Sequence, residues 1–245
     1  MTKDPVLILG ADSDIARAIA RRLAADGHPL QLAARDAARL EADRRDLELR
    51  HAVAVTLHEF DACDIAAIPA FLDGLPALPG IAVSAVGLLG AQAASERDPA
   101  AALAVLRTNF EGPAMVFAEL ANRMEARGRG TLVGISSVAG DRGRATNYIY
   151  GAAKAGYSAF LSGLRNRLAR KGVQVITVLP GFVATRMTEG MNLPARLTAQ
   201  PEEVAEAVAR AIGRRQDVIY VRPVWRLIMA IIRALPEALF KRLKL

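Results

Sequence analysis

Short runs of consecutive apolar residues alternate along this chain with segments whose apolar positions recur every three or four residues. Val6-Leu-Ile-Leu9 is the first such run; it stops at Gly10 and leads into a helix over about 13–26, where Ile15, Ile19 and Leu23 share one face. The same pattern predicts strands over about 30–34, 52–57, 81–85, 131–135 and 173–179. Between them it predicts a charged helix over 36–50, a short helix over 65–72, a long helical region over 99–126 and a helix over about 148–170. Runs that are apolar at every position suit strands covered on both faces, and strand–helix alternation gives a parallel sheet. The expectation is one α/β domain over 1–221, a single doubly wound (Rossmann) parallel sheet with helices on both faces. No repeat, low-complexity tract or linker divides it. Such sheets bind ligands at the carboxyl ends of their strands, so the loops after Leu9, Ala34, Leu57, Ala85, Ile135 and Leu179 should meet at one cleft.

The pattern changes after Pro223, where residues 222–245 read as a basic, amphipathic helical extension. Trp225, Ile228, Met229 and Ile232 fall on one stripe, widened by Leu227 and Ile231 and flanked by Arg226 and Arg233. After Pro236, Leu239, Phe240 and Leu243 alternate with Lys241, Arg242 and Lys244. The uninterrupted apolar run is far shorter than the about 20 residues a bilayer span needs. Two readings stand: peripheral contact of 224–245 with a membrane surface, or packing against a neighbouring subunit.

Composition narrows the classes further. With 245 residues, 52% of them hydrophobic, the chain can bury a full core. Its one cysteine, Cys63, excludes an internal disulfide framework and points to a reducing compartment. His28, His51 and His58 lack metal-ligand spacing, so no metal site is expected. The first residues lack the features of a secretory signal; the expected location is the cytoplasm, at the inner face of the membrane if the tail binds there. A net charge of +7 suits an anionic partner. Aromatic and basic residues do not interleave as in single-strand readers, and no nucleic-acid partner is expected.

The chemistry concentrates in Gly134-Ile-Ser-Ser-Val-Ala-Gly140 and Tyr150-Gly-Ala-Ala-Lys154. Residues i and i+4 share a helix face. The Lys154 charge should therefore favour the Tyr150 phenolate, lowering a pKa that is ordinarily about 10. Ser137 can orient a carbonyl, with Ser136 the lesser candidate. Tyr148 is a competing phenol, but its i+4 partner is the uncharged Ala152. A Tyr-x-x-x-Lys pair alone is most often a solvated helix face; the Ser-Ser strand end upstream gives it weight. Together these residues strongly resemble the active-site signature of the short-chain dehydrogenase/reductase family.

That resemblance extends over about residues 5–221 and implies a nicotinamide cofactor. In Gly10-Ala-Asp-Ser-Asp-Ile-Ala16 it implies that Gly10, Asp12, Ser13, Asp14 and Ile15 lie at the pyrophosphate, where a helix N-terminus favours anions. The family usually has glycine where this chain has Asp14 and Ala16. Asp14 would bring a negative charge toward the phosphates, its alternative role being helix capping and dipole compensation. Asp61 and Ala62 should meet the adenine, and Ala85 and Gly87 the adenine ribose. Asn109 is implied to hold a helical kink and a relay water. Pro180, Gly181, Val183 and Thr185 are implied to contact the nicotinamide amide and phosphates, while Tyr150 and Lys154 also reach its ribose. At the end of the second strand Ala34 offers no carboxylate for ribose hydroxyls, whereas Arg35 offers a fork to a 2′-phosphate. NADP(H) is therefore favoured, with NAD(H) open, since Arg35 is also readable as a surface arginine partly neutralised by Asp36.

The implied activity is reduction of a carbonyl, with Tyr150 as general acid, Ser137 on the carbonyl, Lys154 on the ribose and Asn109 on the relay water. The stretches 85–92 and 139–147 look like the decaprenylphosphoryl-2-keto-ribose reductase branch. That similarity implies a 2-keto sugar carried on a polyprenyl phosphate as the carbonyl substrate. Arg142 and Arg144 are then candidate phosphate contacts, or else braces for the loop or a subunit contact. A soluble reductase of a small ketone or acyl thioester, and a nucleotide-sensing protein without turnover, are the alternatives. The intact Asn109, Ser137, Tyr150 and Lys154 set argues against the last. The family also implies a homodimer or homotetramer.

Overall fold

The structure, a computed structural model, describes residues 3–243. Lys244, the last basic residue of the amphipathic tail pattern, lies outside the described residues, as do Met1, Thr2 and Leu245. The strands are β1 (Val6–Leu9), β2 (Leu30–Ala34), β3 (Val55–Glu59), β4 (Ile81–Ser84), β5 (Gly130–Ile135), β6 (Val173–Pro180), β7 (Phe182–Val183), β8 (Thr198–Ala199) and β9 (Val218–Val221). The helices are α1 (Asp14–Ala25), α2 (Glu41–His51), α3 (Ile68–Asp73), α4 (Gln92–Ser95), α5 (Pro99–Leu106), α6 (Gly112–Arg127), α7 (Tyr148–Leu168), α8 (Pro201–Gly213), α9 (Val224–Ala234) and α10 (Glu237–Phe240). Seven strands form one sheet in the order β3-β2-β1-β4-β5-β6-β9, every neighbouring pair parallel.

Alternate residues of β1 serve different layers. Val6 and Ile8 pack with Ile19 and Leu23 of α1 and with Val204 and Val208 of α8. Leu7 and Leu9 pack with Phe117 and Leu120 of α6 and Tyr157 and Leu161 of α7. Two cores, one on each face, are why the strand is apolar at every position.

Several boundaries differ from the expectation. The third strand begins at Val55 because Ala52, in the left-handed region at φ 52°, ends α2 by donating its N–H to Glu48 O at 3.0 Å. The long helical region is broken between α5 and α6 by a π-helical turn over Arg107–Glu111, centred on Asn109. The sequence reading also stopped at the sixth strand and missed α8 and β9. The signal for α8 was present: Pro201 follows Gln200, and Gln200 and Glu203 form a reciprocal capping box.

The C-terminal extension takes neither of its expected positions along its main stripe. Trp225 and Met229 are buried in the protein's own core, with Val138 and Leu179, and Ile228 and Ile232 pack beside them. A Cβ on Gly181 would lie 1.9 Å from the Trp225 ring, so only glycine admits that indole. The exposed large apolar side chains of α9 are instead Val224, Leu227 and Ile231.

Candidate active site

Two glycines seat the loop after β5 on helix α7. A Cβ on Gly140 would lie 2.7 Å from the Lys154 carbonyl carbon, and one on Gly151 would lie 2.9 Å from Ala139 O. This close approach puts Ser137 and Tyr150 on the wall of one cavity, together with Lys154. Ser137 is extended and caps the following turn, its Oγ accepting from Ala139 N at 3.1 Å. Ser136 has a bracing position: its Oγ donates to Lys154 O at 3.0 Å and lies 2.7 Å from Ser158 Oγ.

Burial dominates the electrostatics. Lys154 Nζ donates to Ile135 O at 3.0 Å and lies 5.7 Å from the Tyr150 ring centroid. Removal from water disfavours the charged form of each group. It pulls the Lys154 ammonium down to about 8 and pushes the Tyr150 phenol up to about 12, with the Ser137 hydroxyl opposing the latter shift. The expectation that the Tyr150 pKa lies below its ordinary value is thus not met; desolvation sets the direction.

Asn109 is wholly buried in the π-helical turn. Its Nδ2 donates to Val105 O at 2.8 Å and Leu88 O at 2.6 Å, and its Oδ1 accepts from Leu88 N at 3.2 Å. One side chain therefore holds both the break between α5 and α6 and the loop after β4. Gly87 keeps that loop close: a Cβ there would lie 3.3 Å from Asn109 Oδ1.

The sheet order reverses around β1, and the loops after β1 and β4 meet there. Gly10, at φ +73°, has Val86 N 2.9 Å from where a Cβ would stand. A cavity of about 190 Å³ is lined by Gly10, Asp12, Ser13, Arg35, Asp61 and Ala62. It shares Ala85, Val86 and Gly87 with a larger cavity of about 560 Å³, which holds Ile15, Ser137, Tyr150, Lys154, Pro180, Gly181, Val183 and Thr185. The result is an elongated groove across the carboxyl ends of the strands, the shape a dinucleotide requires at a switch point. The glycine-lined turn at Gly10 and the exposed Arg35, which has no hydrogen-bond or ion-pair partner among the described residues, fit a phosphate-bearing cofactor.

The two departures from the glycine pattern are accommodated. Ala16 points its methyl into the core. Asp14 is not the cap of α1; Ser13 is, its Oγ accepting from Ala16 N at 3.2 Å. The Asp14 carboxylate instead accepts from Arg186 Nε at 2.9 Å and Arg186 N at 2.7 Å. Sequence reasoning missed Arg186, which also donates to Asp12 O.

The larger cavity is mostly apolar, with Leu89, Val138, Ile149, Phe182, Met187 and Met191 in its wall. Arg144 lines it, and its Nε is buried without a hydrogen-bond partner. Burial pushes the Arg144 guanidinium below its ordinary pKa, against the attraction of Asp141. Arg142 is turned away from the cavity. It donates to Ile232 O and Leu235 O, both at 2.6 Å, pairs with Glu237 at 2.8 Å and lies 3.7 Å above the Phe240 ring centroid. It braces the loop against α9 and α10, which removes it from the candidate substrate contacts.

Among the described residues no group of His, Cys, Asp and Glu is arranged to hold a metal ion, and no helix is long and apolar enough to cross a membrane.

Comparison with known proteins matches residues 4–195 to the family model described as short chain dehydrogenase. The chain is 43% identical over 242 residues to an uncharacterised oxidoreductase of Mycobacterium tuberculosis, covering 98% of this chain and 96% of the relative. Among solved structures it is similar to a short-chain dehydrogenase from Sphingobium yanoikuyae in complex with NADPH, with a TM-score of 0.80, 26% identity and coverage of 96% and 97% of the two chains. It is also similar to an actinorhodin polyketide ketoreductase with NADPH, with a TM-score of 0.77, 26% identity and coverage of 90% and 97%.

Proposed function

We propose that this chain, which belongs to the short chain dehydrogenase family, is an NADPH-dependent carbonyl reductase that works through Ser137, Tyr150 and Lys154. The observation that carries this reading is the placement of those three side chains on one cavity, continuous with a groove that ends at Arg35. NADPH, when bound, supplies the hydride. Gly10, Asp12, Ser13, Ile15 and the Asp14–Arg186 pair would hold its pyrophosphate, with Asp61, Ala62, Ala85 and Gly87 around the adenosine. Pro180, Gly181, Val183 and Thr185 would form the nicotinamide wall. Arg35 would take the 2′-phosphate, and the two related structures with NADPH support that preference over NADH.

Tyr150, whose phenol is held protonated by burial, gives its proton to the carbonyl oxygen. Ser137 donates a hydrogen bond to that oxygen and fixes its position. Lys154, with a pKa near 8, carries a proton at neutral pH and stands behind the phenol to restore it. Asn109 holds the loop at Leu88, and a relay water would sit beside it.

We further propose that the substrate is a keto group on an anionic carrier, specifically a 2-keto sugar on a polyprenyl phosphate. Arg144 supports this: a half-buried guanidinium whose Nε has no hydrogen-bond partner, in a mostly apolar wall, is costly without an anion to meet it. The exposed apolar positions of α9 support contact with a membrane from the cytoplasmic side. Exposed Leu103, Leu106, Phe110 and Met115, along α5, the π-helical turn and α6, support a homo-oligomer.

NADPH oxidation with a polyprenyl-phosphate 2-keto pentose and with a neutral ketone of similar size tests the reading. The anionic substrate should show the higher kcat/KM, and Arg144→Met should remove about 10–100-fold of it through KM, the scale of one charge-assisted contact. Equal use of both ketones, unchanged by the substitution, would overturn the anionic substrate while leaving the reductase intact.

A further inference from the structure

Away from the reaction cavity, α8, β9 and α9 enclose a second groove of about 590 Å³. Arg210 and Arg214 lie on one side of it and Arg226 and Arg233 on the other, with Gln216 and Tyr220 between. No lining residue is acidic. Arg214, Arg226 and Arg233 have no side-chain ion-pair partner among the described residues, and Arg210 has only Glu206 at 3.7 Å. Asp141, which feels the charge of Arg233, accepts the Tyr220 hydroxyl at 2.9 Å. Four like charges around one groove repel each other, and an anion there would relieve them through paired hydrogen bonds.

The outer face of α9 adds a different kind of surface. Trp225 and Met229 point into the core, so the helix turns Val224, Leu227 and Ile231 outward, exposed by 42%, 64% and 57%. Arg226 and Arg233, seven residues apart, share the flank beside this stripe. Residues 224–235 contain no Asp or Glu. Exposed apolar side chains next to unpaired arginines match the boundary of an anionic bilayer, where headgroup phosphates lie just above hydrocarbon. A second copy of the chain fits poorly, because a two-fold contact would bring the same patch, whose lining has no carboxylate to meet the arginines.

We infer that this groove is a phosphate-headgroup site through which the protein seats on an anionic membrane, with Leu227 and Ile231 entering the acyl boundary. The inference rests on the membrane contact proposed above and assigns residues to it.

The test uses the full chain in flotation with phosphatidylcholine vesicles and with vesicles containing phosphatidylglycerol. Wild type should float with the second set only and be released by salt. Arg214→Gln with Arg226→Gln should weaken binding roughly thirtyfold, from two basic groups near the surface. Leu227→Gln with Ile231→Gln should weaken it as well. All of these variants should reduce a water-soluble ketone at the wild-type rate, which shows that they fold and keeps this test separate from the identity of the substrate. Three results would overturn the inference: no flotation of wild type with phosphatidylglycerol; flotation unchanged by the arginine pair; or an arginine-dependent affinity for inositol hexakisphosphate without flotation, which would make the groove a site for a soluble polyphosphate. Dissociation of an oligomer by the leucine–isoleucine pair, without loss of flotation, would make the stripe a subunit interface and overturn its part in the inference.

Discussion

Arg186, in the turn after β7, holds the carboxylate of Asp14 with both its backbone N–H at 2.7 Å and its Nε at 2.9 Å. The pair ties the first turn of α1 to the loop that closes the far end of β6, across the groove proposed for the cofactor. It also answers how an acid can occupy a position where the family usually has glycine: the negative charge is already engaged.

If that pairing is what makes Asp14 tolerable, Arg186→Ala should weaken NADPH binding by about 1.5–5-fold, the range of a partly exposed ion pair. Asp14→Asn in the same background should recover most of the loss. Titration of the four proteins of the cycle by cofactor fluorescence measures the coupling; additive losses would mean that Arg186 acts on the cofactor by itself.

Tyr150→Phe removes one hydroxyl and leaves the ring in place. Carbonyl reduction should fall by at least about 10²-fold, the contribution of a positioned general acid, while NADPH affinity stays near wild type. Stopped-flow reduction alongside equilibrium binding separates the two, and wild-type turnover would remove Tyr150 from the acid role.

Arg35→Ala should cost NADPH about 1.5–3 kcal/mol, the scale of a hydrogen bond to a charged group, with little effect on NADH. Calorimetric titration with both cofactors is the check. Equal losses would place Arg35 outside 2′-phosphate recognition.

The buried lysine gives a pH signature without any substrate. Its pKa is lowered on folding, from near 10.5 to about 8, so between those values the unfolded chain binds more protons and stability rises with pH. Tyr150 is shifted the other way, from 10.0 to about 12, so above pH 10 it makes stability fall as pH rises. The clean window is pH 8 to 10, where the Lys154 contribution should approach about 1.4 kcal/mol per pH unit at most. Urea unfolding of wild type and Lys154→Met across that window should show the slope in the first and its loss in the second.

The sequence carried the features that depend on near neighbours along the chain. The apolar runs of β1 and β6 were legible because both faces of each strand are buried, and Tyr150 and Lys154 because one helical turn puts them together. β9 was passed over although Val218-Ile-Tyr-Val221 is an apolar run like that of β1; it stands at the edge of the seven-stranded sheet, where Val218 is 49% exposed. Nor could spacing reveal that Asp14 meets Arg186, 172 residues away, or that Arg142 faces the C-terminal helix and not the substrate. The direction of the Tyr150 shift was misread for a related reason. A charged neighbour shows in sequence, whereas the depth of burial that sets the direction belongs to the assembled fold.

The grip of Arg142 on residues 232–240 sets an order of events during synthesis. Its carbonyl acceptors, Ile232 and Leu235, are made 90 and 93 residues later. A chain still emerging from the ribosome can seat the inner side of this loop on α7 through Gly140 and Gly151, yet its outer side, held through Arg142, gains its brace only when α9 arrives. The loop is therefore fixed in two stages, its inner side by a helix made directly after it and its outer side by residues made 90 positions later.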